Sequence, residues 1–310
     1  MNYAIALDVG GTRIKYALIS QEGGILYEQK VFVEKEEEKL VTTFKRIVGE
    51  LLDLASSRKA HVVGIGIGVP AVVDNGLILF ANNLPALNKI RLDNMLTESF
   101  ALPVCIENDA NLMGLAEARY GAAMGASDVV FLTVGTGIGG ALILNGQLYG
   151  GYRNRGTEMG HIIVHGDGHG RNCTCGATGC LEAQASVTAL VRDYKEQLRM
   201  HKQSIPAEVD GEYIVAMYLE NQLAAVEAMN SHFHWLATGI ASFINIFAPQ
   251  KVIIGGGISE AGPFYIEAIR ERAGKLVMQE TACFTSIEAA RFGNKSGFLG
   301  AATLVFESYL

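Results

Sequence analysis

Residues 3–19, YAIALDVGGTRIKYALI, hold an apolar run, a glycine pair with a threonine, and a second apolar run. Two strand-length stretches joined by so short a glycine turn read as a β-hairpin. The same design returns at Val129, where VVFLTV enters the turn Gly135-Thr136-Gly137-Ile138-Gly139-Gly140, ALIL runs back, and Asn145-Gly146 turns the chain again. Two such hairpins predict two similar domains, each opening on a strand meander.

Around the hairpins helix and strand patterns alternate, which indicates an α/β protein. Leu40, Phe44, Ile47, Leu51 and Leu54 recur at helical spacing, and HVVGIGIGVP follows as a strand. Residues 102–107 read as a strand and residues 110–120 as a helix stopped by Gly121. A long apolar helix over about 226–247 ends at Pro249, and KVIIGGGIS is then a strand and a glycine turn. Helices over about 263–277 and 298–310 close the chain. The domain boundary is expected near residue 121, with residues 1–120 and the helix 298–310 in one domain and residues 121–297 in the other.

Composition narrows the function classes. Hydrophobic residues make up 49% and charged residues 18%, as in a well-packed globular protein. No apolar run reaches the roughly eighteen residues of a membrane span, and the chain opens on a strand instead of a basic leader, so a cytoplasmic protein without membrane contact is expected. A net charge of −7 offers no basic footprint for nucleic acid and favours a small-molecule partner. Glycine is in excess, 36 residues gathered in short clusters, which mark places where backbone must approach something closely.

One cluster accounts for most of the cysteine. Cys173, Cys175 and Cys180 form C-x-C-x4-C, with His161 upstream, so three thiolates and an imidazole can close a tetrahedron around Zn²⁺. An accidental cluster or a redox pair is the plainer reading, and His165 and His169 are alternatives for the fourth ligand. A Cys3His site leaves no open position, so the metal would be structural, holding Glu158 and Glu182 near each other. Cys105 and Cys283 are expected as free packing thiols, which fits a reducing compartment.

Gly135, Gly137 and Gly140 satisfy G-x-G-x-x-G, but a strand follows where a dinucleotide site needs a helix, so a Rossmann site is rejected; no P-loop lysine pattern is present. Glycine turns can still cradle phosphate through bare backbone N–H groups. Asp8 at the mouth of the first hairpin could hold Mg²⁺ through water, with the Thr12 hydroxyl on phosphate; an ordinary tight hairpin is the alternative. Asp109 lies between a strand and a helix, where it could serve either as a helix cap or as a carboxylate in a cleft.

DVGGTRIK at 8–15, ENDAN at 107–111, TVGTGIGGALI at 133–143, the E-x-G-H of Glu158 to His161, CTCGATGCLE at 173–182 and VIIGGG at 252–257 together, and in that order, resemble the ROK family of bacterial sugar kinases, in its glucokinase-like, zinc-containing branch. The resemblance implies an actin-like ATPase fold, two RNase H-like domains with an interdomain cleft that takes ATP and a small sugar. It implies that Asp8, Gly10, Gly11, Thr12 and Lys15 of the first hairpin and Thr133, Gly135, Thr136 and Gly137 of the second hold phosphates, with Mg²⁺ accompanying ATP, and that the Gly255-Gly256-Gly257 turn contributes to an adenosine pocket. Asp109 matches the catalytic base; Asn83, Asn108, Glu158, His161 and Glu182 match positions that contact sugar hydroxyls, and His161, Cys173, Cys175 and Cys180 the zinc ligands.

The implied activity is ATP-dependent phosphorylation of a hexose, glucose at O6 by similarity to the glucokinases, in a homodimer or homotetramer. Kinases of N-acetylmannosamine, N-acetylglucosamine, allose or fructose use nearly the same frame. The family also includes sugar-sensing transcriptional regulators that carry a helix-turn-helix ahead of the first hairpin; Asp8 lies only eight residues from the start, which is expected to leave no room for one. An actin-like filament or chaperone ATPase would need neither Asp109 nor the glutamates beside the metal. The chain departs from the family pattern at Thr157, where glycine is usual, and at the unusual Arg153-Asn154-Arg155 before it, which leaves sugar preference open. In residues 81–92, ANNLPALNKIRL, either Asn82 or Asn83 is the sugar-facing residue.

Overall fold

The computed structural model of the chain describes residues 1–81, 84–282 and 284–310. Asn82, Asn83 and Cys283 lie outside the described residues. The first half contains β1 (Asn2–Val9), β2 (Arg13–Ser20), β3 (Ile25–Phe32), α1 (Glu37–Ser57), β4 (His61–Val69), β5 (Val72–Asp74), β6 (Leu77–Phe80), α2 (Leu92–Phe100), β7 (Val104–Asn108) and α3 (Asp109–Tyr120). The second half contains β8 (Val129–Val134), β9 (Ile138–Leu144), β10 (Gln147–Leu148), α4 (Leu181–Ala185), α5 (Val187–Met200), α6 (Gly211–Leu219), α7 (Leu223–Phe247), β11 (Lys251–Gly255), α8 (Pro263–Gly274), α9 (Gln279–Ala282), β12 (Ser286–Ala289) and α10 (Ser296–Tyr309).

Two five-stranded sheets repeat one topology. Their orders are β3-β2-β1-β4-β7 and β10-β9-β8-β11-β12, each an antiparallel meander extended by two parallel strands. This duplicated sheet with covering helices is the actin-like ATPase fold. Both glycine turns expected from sequence fall at equivalent places, at the tips of the β1–β2 and β8–β9 hairpins.

The strand β4, HVVGIGIGV, shows why the first sheet folds as it does. A strand alternates its side chains between faces, so Ile65, Ile67 and Val69 point one way and Gly64, Gly66 and Gly68 the other. The large face packs on Phe44, Ile47 and Leu51 of α1. The small face, continued by Ala4 and Ala6 of β1, lets α10 lie almost on the backbone: a Cβ at Gly66 would fall inside the carbonyl of Ala301.

The second sheet divides likewise. Val130, Leu132 and Ile254 face α5, α7 and α8, whereas Val129, Phe131, Ala141 and Ile253 face α3 and α10. The helices α3 and α10 therefore lie between the sheets and share one core with both, Gly114 of α3 sitting against Ala141 and Phe131, and Gly300 of α10 against the Leu112 carbonyl. Among the described residues no helix is long and apolar enough to cross a membrane.

Candidate active site

The junction of β7 and α3 shows which of two adjacent residues caps the helix. Asn108 has extended backbone, and its Oδ1 accepts the N–H groups of Ala110 at 2.9 Å and Asn111 at 3.2 Å. It is the helix cap, which satisfies two of the otherwise unpaired N–H groups of the first turn. Asp109 is thereby released from capping. Its Oδ1 receives the N–H of Ala110 at 2.9 Å. Burial raises this carboxyl to about 6, the nearby charges of Asp8 and Glu158 add to the rise, and the Ala110 N–H opposes it.

Asp109 lines a cleft of about 460 Å³, partly open to solvent, between the two halves of the molecule. Ala71 and Val73 come from one side, Gly139, Thr157 and Glu158 from the other, and Asn108 and Asn111 from the floor. Asn108 and Glu158 thus line the same cleft as Asp109. His161 and Glu182 do not line this cleft. The Glu182 carboxylate instead accepts the N–H of Ile138 at 2.9 Å, directly behind Gly137 in the second hairpin turn.

Of the phosphate-binding candidates, Asp8 lies near Asp109. Asp8, next to last in β1, lies opposite Lys15 in the hairpin register, and the two form an ion pair at 3.4 Å. Burial raises Asp8, with the Lys15 charge opposing, and the carboxylate rests against Gly297 at the start of α10, where a Cβ would collide with it. In the first turn the N–H of Gly10 donates to Arg13 O at 2.9 Å, and the Lys35 ammonium donates to Gly11 O at 2.7 Å; Thr12 is exposed. In the second, Thr133 pairs with Gly139, the N–H of Gly135 donates to Gly137 O at 2.9 Å, and Thr136 O accepts the Thr188 hydroxyl at 2.7 Å. A larger hollow of about 1170 Å³ opens beside it, between Gly135 and Thr136, Val187, Val215 and Leu219, and Gly257. Gly256 has φ +90°, and a Cβ there would strike the Val134 carbonyl, so the Gly255–Gly257 turn admits no side chain at its centre.

Beyond the cleft, His161, Cys173, Cys175 and Cys180 bring their ligand atoms within 4.8 Å of one another. Cys173 Sγ lies 3.5 Å from His161 Nδ1, and Cys175 Sγ 3.6 Å from Cys180 Sγ. Bond lengths of about 2.3 Å to sulfur and about 2.0 Å to nitrogen give a tetrahedron edges of about 3.5–3.8 Å, so the cluster could hold a metal ion. His165 turns away, stacking on Trp235 and pairing with Asp167, and among the described residues the four-ligand cluster contains neither it nor His169.

The ROK family sequence pattern matches residues 4–308. The chain belongs to the ROK family. This ROK chain is 33% identical to the glucokinase of Thermotoga maritima over 98% of its own length and 97% of the relative's. It is 29% identical to the xylose repressor of Bacillus spizizenii, covering 99% of this chain and 78% of that one. In structure it resembles the ROK glucokinase of Streptomyces griseus solved with glucose and AMPPNP, with a TM-score of 0.81, 31% identity, and coverage of 98% of this chain and 99% of that chain.

Four residues of the site escape local sequence reading. Glu107, buried, accepts the N–H of Asn108 at 2.8 Å and the amide of Asn111 at 2.9 Å, and Asn154 reaches it from the other half of the molecule at 2.8 and 2.9 Å. Asp74, also buried, takes Arg153 at 2.8 Å. Two sequence signals touch them: Glu107 opens the ENDAN stretch, and Arg153-Asn154-Arg155 stands out next to E-x-G-H. Thr157, where the family has glycine, stands at φ 63°, a conformation that glycine adopts freely and a β-branched residue does not.

Proposed function

We propose that this ROK sugar kinase transfers the terminal phosphoryl group of Mg²⁺-ATP to a hexose, with O6 of glucose the leading acceptor. The observation that carries this reading is Asp109: a carboxyl freed from capping by Asn108, raised to about 6, and lining a cleft beside both glycine hairpins. Phosphoryl transfer asks a protein mainly for positioning and charge stabilisation, plus one group to draw the proton from the attacking hydroxyl. Asp109 would take that proton. Asn108 and Glu158, with His161, Glu182 and Asn83 by family likeness, would orient the hydroxyls.

The hollow beside Gly135 and Gly257 fits the adenosine end of ATP, with apolar Val187, Val215 and Leu219 against the base. The N–H groups of the two turns, with Thr12, Thr136 and Lys15, would face the phosphates, and Asp8 would hold Mg²⁺, which neutralises charge on the transferring group. For the cysteine cluster we assign structural zinc on its donor set and edge lengths. It would hold Glu182, whose Oε1 lies 3.4 Å from the Thr174 hydroxyl between Cys173 and Cys175. A division into residues 1–120 with 298–310, and 121–297, follows the two sheets, and a cytoplasmic site suits unpaired thiols.

The test is a coupled assay over glucose, allose, fructose, N-acetylglucosamine and N-acetylmannosamine with Mg²⁺-ATP, comparing kcat/KM. Glucose is expected to lead. ATP turnover indifferent to every sugar would overturn the kinase reading, and sugar binding without transfer would favour a sensor such as the repressors among the relatives.

A further inference from the structure

The segment from Gly150 to Glu158 leaves the second sheet, crosses to the first half of the molecule and returns. Its ends are tied by the N–H of Gly156 donating to Gly150 O at 2.7 Å. Arg153 and Asn154 at its tip both have left-handed backbone, φ 55° and 56°, as does Thr157 at 63°. Three non-glycine residues in that region are costly, about 1–2 kcal/mol each, and persist only where surrounding contacts hold them.

Besides the local bonds of the segment, its side chains make contacts across the cleft. The Asn154 amide donates to both carboxylate oxygens of Glu107 and, at 3.2 Å, to Val73 O. Arg153 reaches Asp74 at 2.8 Å and Arg155 the same oxygen at 3.5 Å. Glu107 in turn fixes the N–H of Asn108 and the amide of Asn111, and the Thr157 hydroxyl, which donates to Gly156 O at 2.7 Å, lies 3.3 Å from Asn111 Oδ1. The network is a closed circuit from the Asp109 loop to the residue before Glu158.

We propose that Asn154 is a positioning residue that sets the spacing of Glu158 from Asp109, and that Arg153 and Arg155 on Asp74 clasp it in place, so that acceptor specificity is fixed partly by contacts that never touch the sugar. This rests on the sugar-kinase reading. Removing the clasp releases one wall of the acceptor site and leaves the ATP hollow, formed by other segments, as it was.

Asn154→Gly keeps the left-handed backbone and loses the amide; Asn154→Asp keeps the shape and sets a second carboxylate against Glu107. Acceptor KM is expected to rise about tenfold or more in the first, as for a lost bond to a charged group, and further in the second, with ATP KM unchanged and discrimination among the hexoses reduced. The half-exposed arginines permit a second approach: Asp74→Asn, Arg153→Gln with Arg155→Gln, and the triple variant form a cycle in which the triple change costs no more than either part. Acceptor KM within about twofold of the parent in both Asn154 variants, or a cycle additive to that margin, overturns the proposal. A parent protein that phosphorylates no sugar refutes the kinase reading instead.

Discussion

At Asp109, burial and two neighbouring carboxylates make the charged form expensive. In the unfolded chain the carboxyl titrates near its ordinary value of 3.8, whereas in the fold it titrates at about 6. The folded protein therefore binds the proton more tightly, and the penalty for ionising this group sets in as pH rises from 3.8 and is complete above about 6. Asp109→Asn should thus stabilise the ligand-free protein at pH 7 by up to about 3 kcal/mol and change little at pH 4. Urea unfolding at the two pH values checks this. The same variant should lose about 10²-fold or more in kcat while still binding sugar. In the parent, kcat/KM should climb through pH 6 and level off, since the base must be ionised; a rate flat from pH 5 to 7 would remove Asp109 from that role. Sequence could not choose between cap and base at this position. Both residues of the pair can cap a helix, and only the backbone at Asn108 shows which one does.

Among the elements, α10 and α3 meet the sheets through glycine. A methyl group at Gly300 would have to displace the Leu112 carbonyl, which no side-chain rotation can relieve. Gly300→Ala should therefore cost about 3 kcal/mol or more in urea unfolding. Gly49 of α1 is the opposite case, since a methyl group added there would find no other atom within 4 Å, and Gly49→Ala should stabilise by about 0.5–1 kcal/mol. The cysteine segment is its own element. Cys175→Ser should abolish stoichiometric zinc by elemental analysis and weaken sugar binding through the loosened Glu182 side; full zinc content in that variant would show that the ligand set is wrong.

These elements were largely readable in advance. The hairpins, α1, β4, α3, α7 and α10 announce themselves through period and glycine punctuation, because each is stabilised by a pattern contained within its own few turns. Helix α6 and the edge strands β3 and β12 carry weaker marks, β3 being mostly exposed and β12 only four residues long, whereas α5 is as plainly amphipathic as α1.

Across the whole molecule, what sequence withheld is long range. Arg153 and Asp74, or Asn154 and Glu107, are neighbours only because two sheets face each other, and nothing local to either residue encodes its partner. The bond from Ile138 N–H to Glu182 is of the same kind: it joins the cysteine segment, where we propose a metal, to the turn proposed for phosphate, 44 residues away, so that stripping the metal should disturb nucleotide affinity as well as sugar affinity.

The small face of the first sheet has a further consequence, in the order of synthesis. Ala4, Ala6 and the glycines of β4 are synthesised long before the helix that covers them, residues 296–309. The first sheet must wait, its hydrophobic seam open to water or to a chaperone, until that helix arrives to seal it.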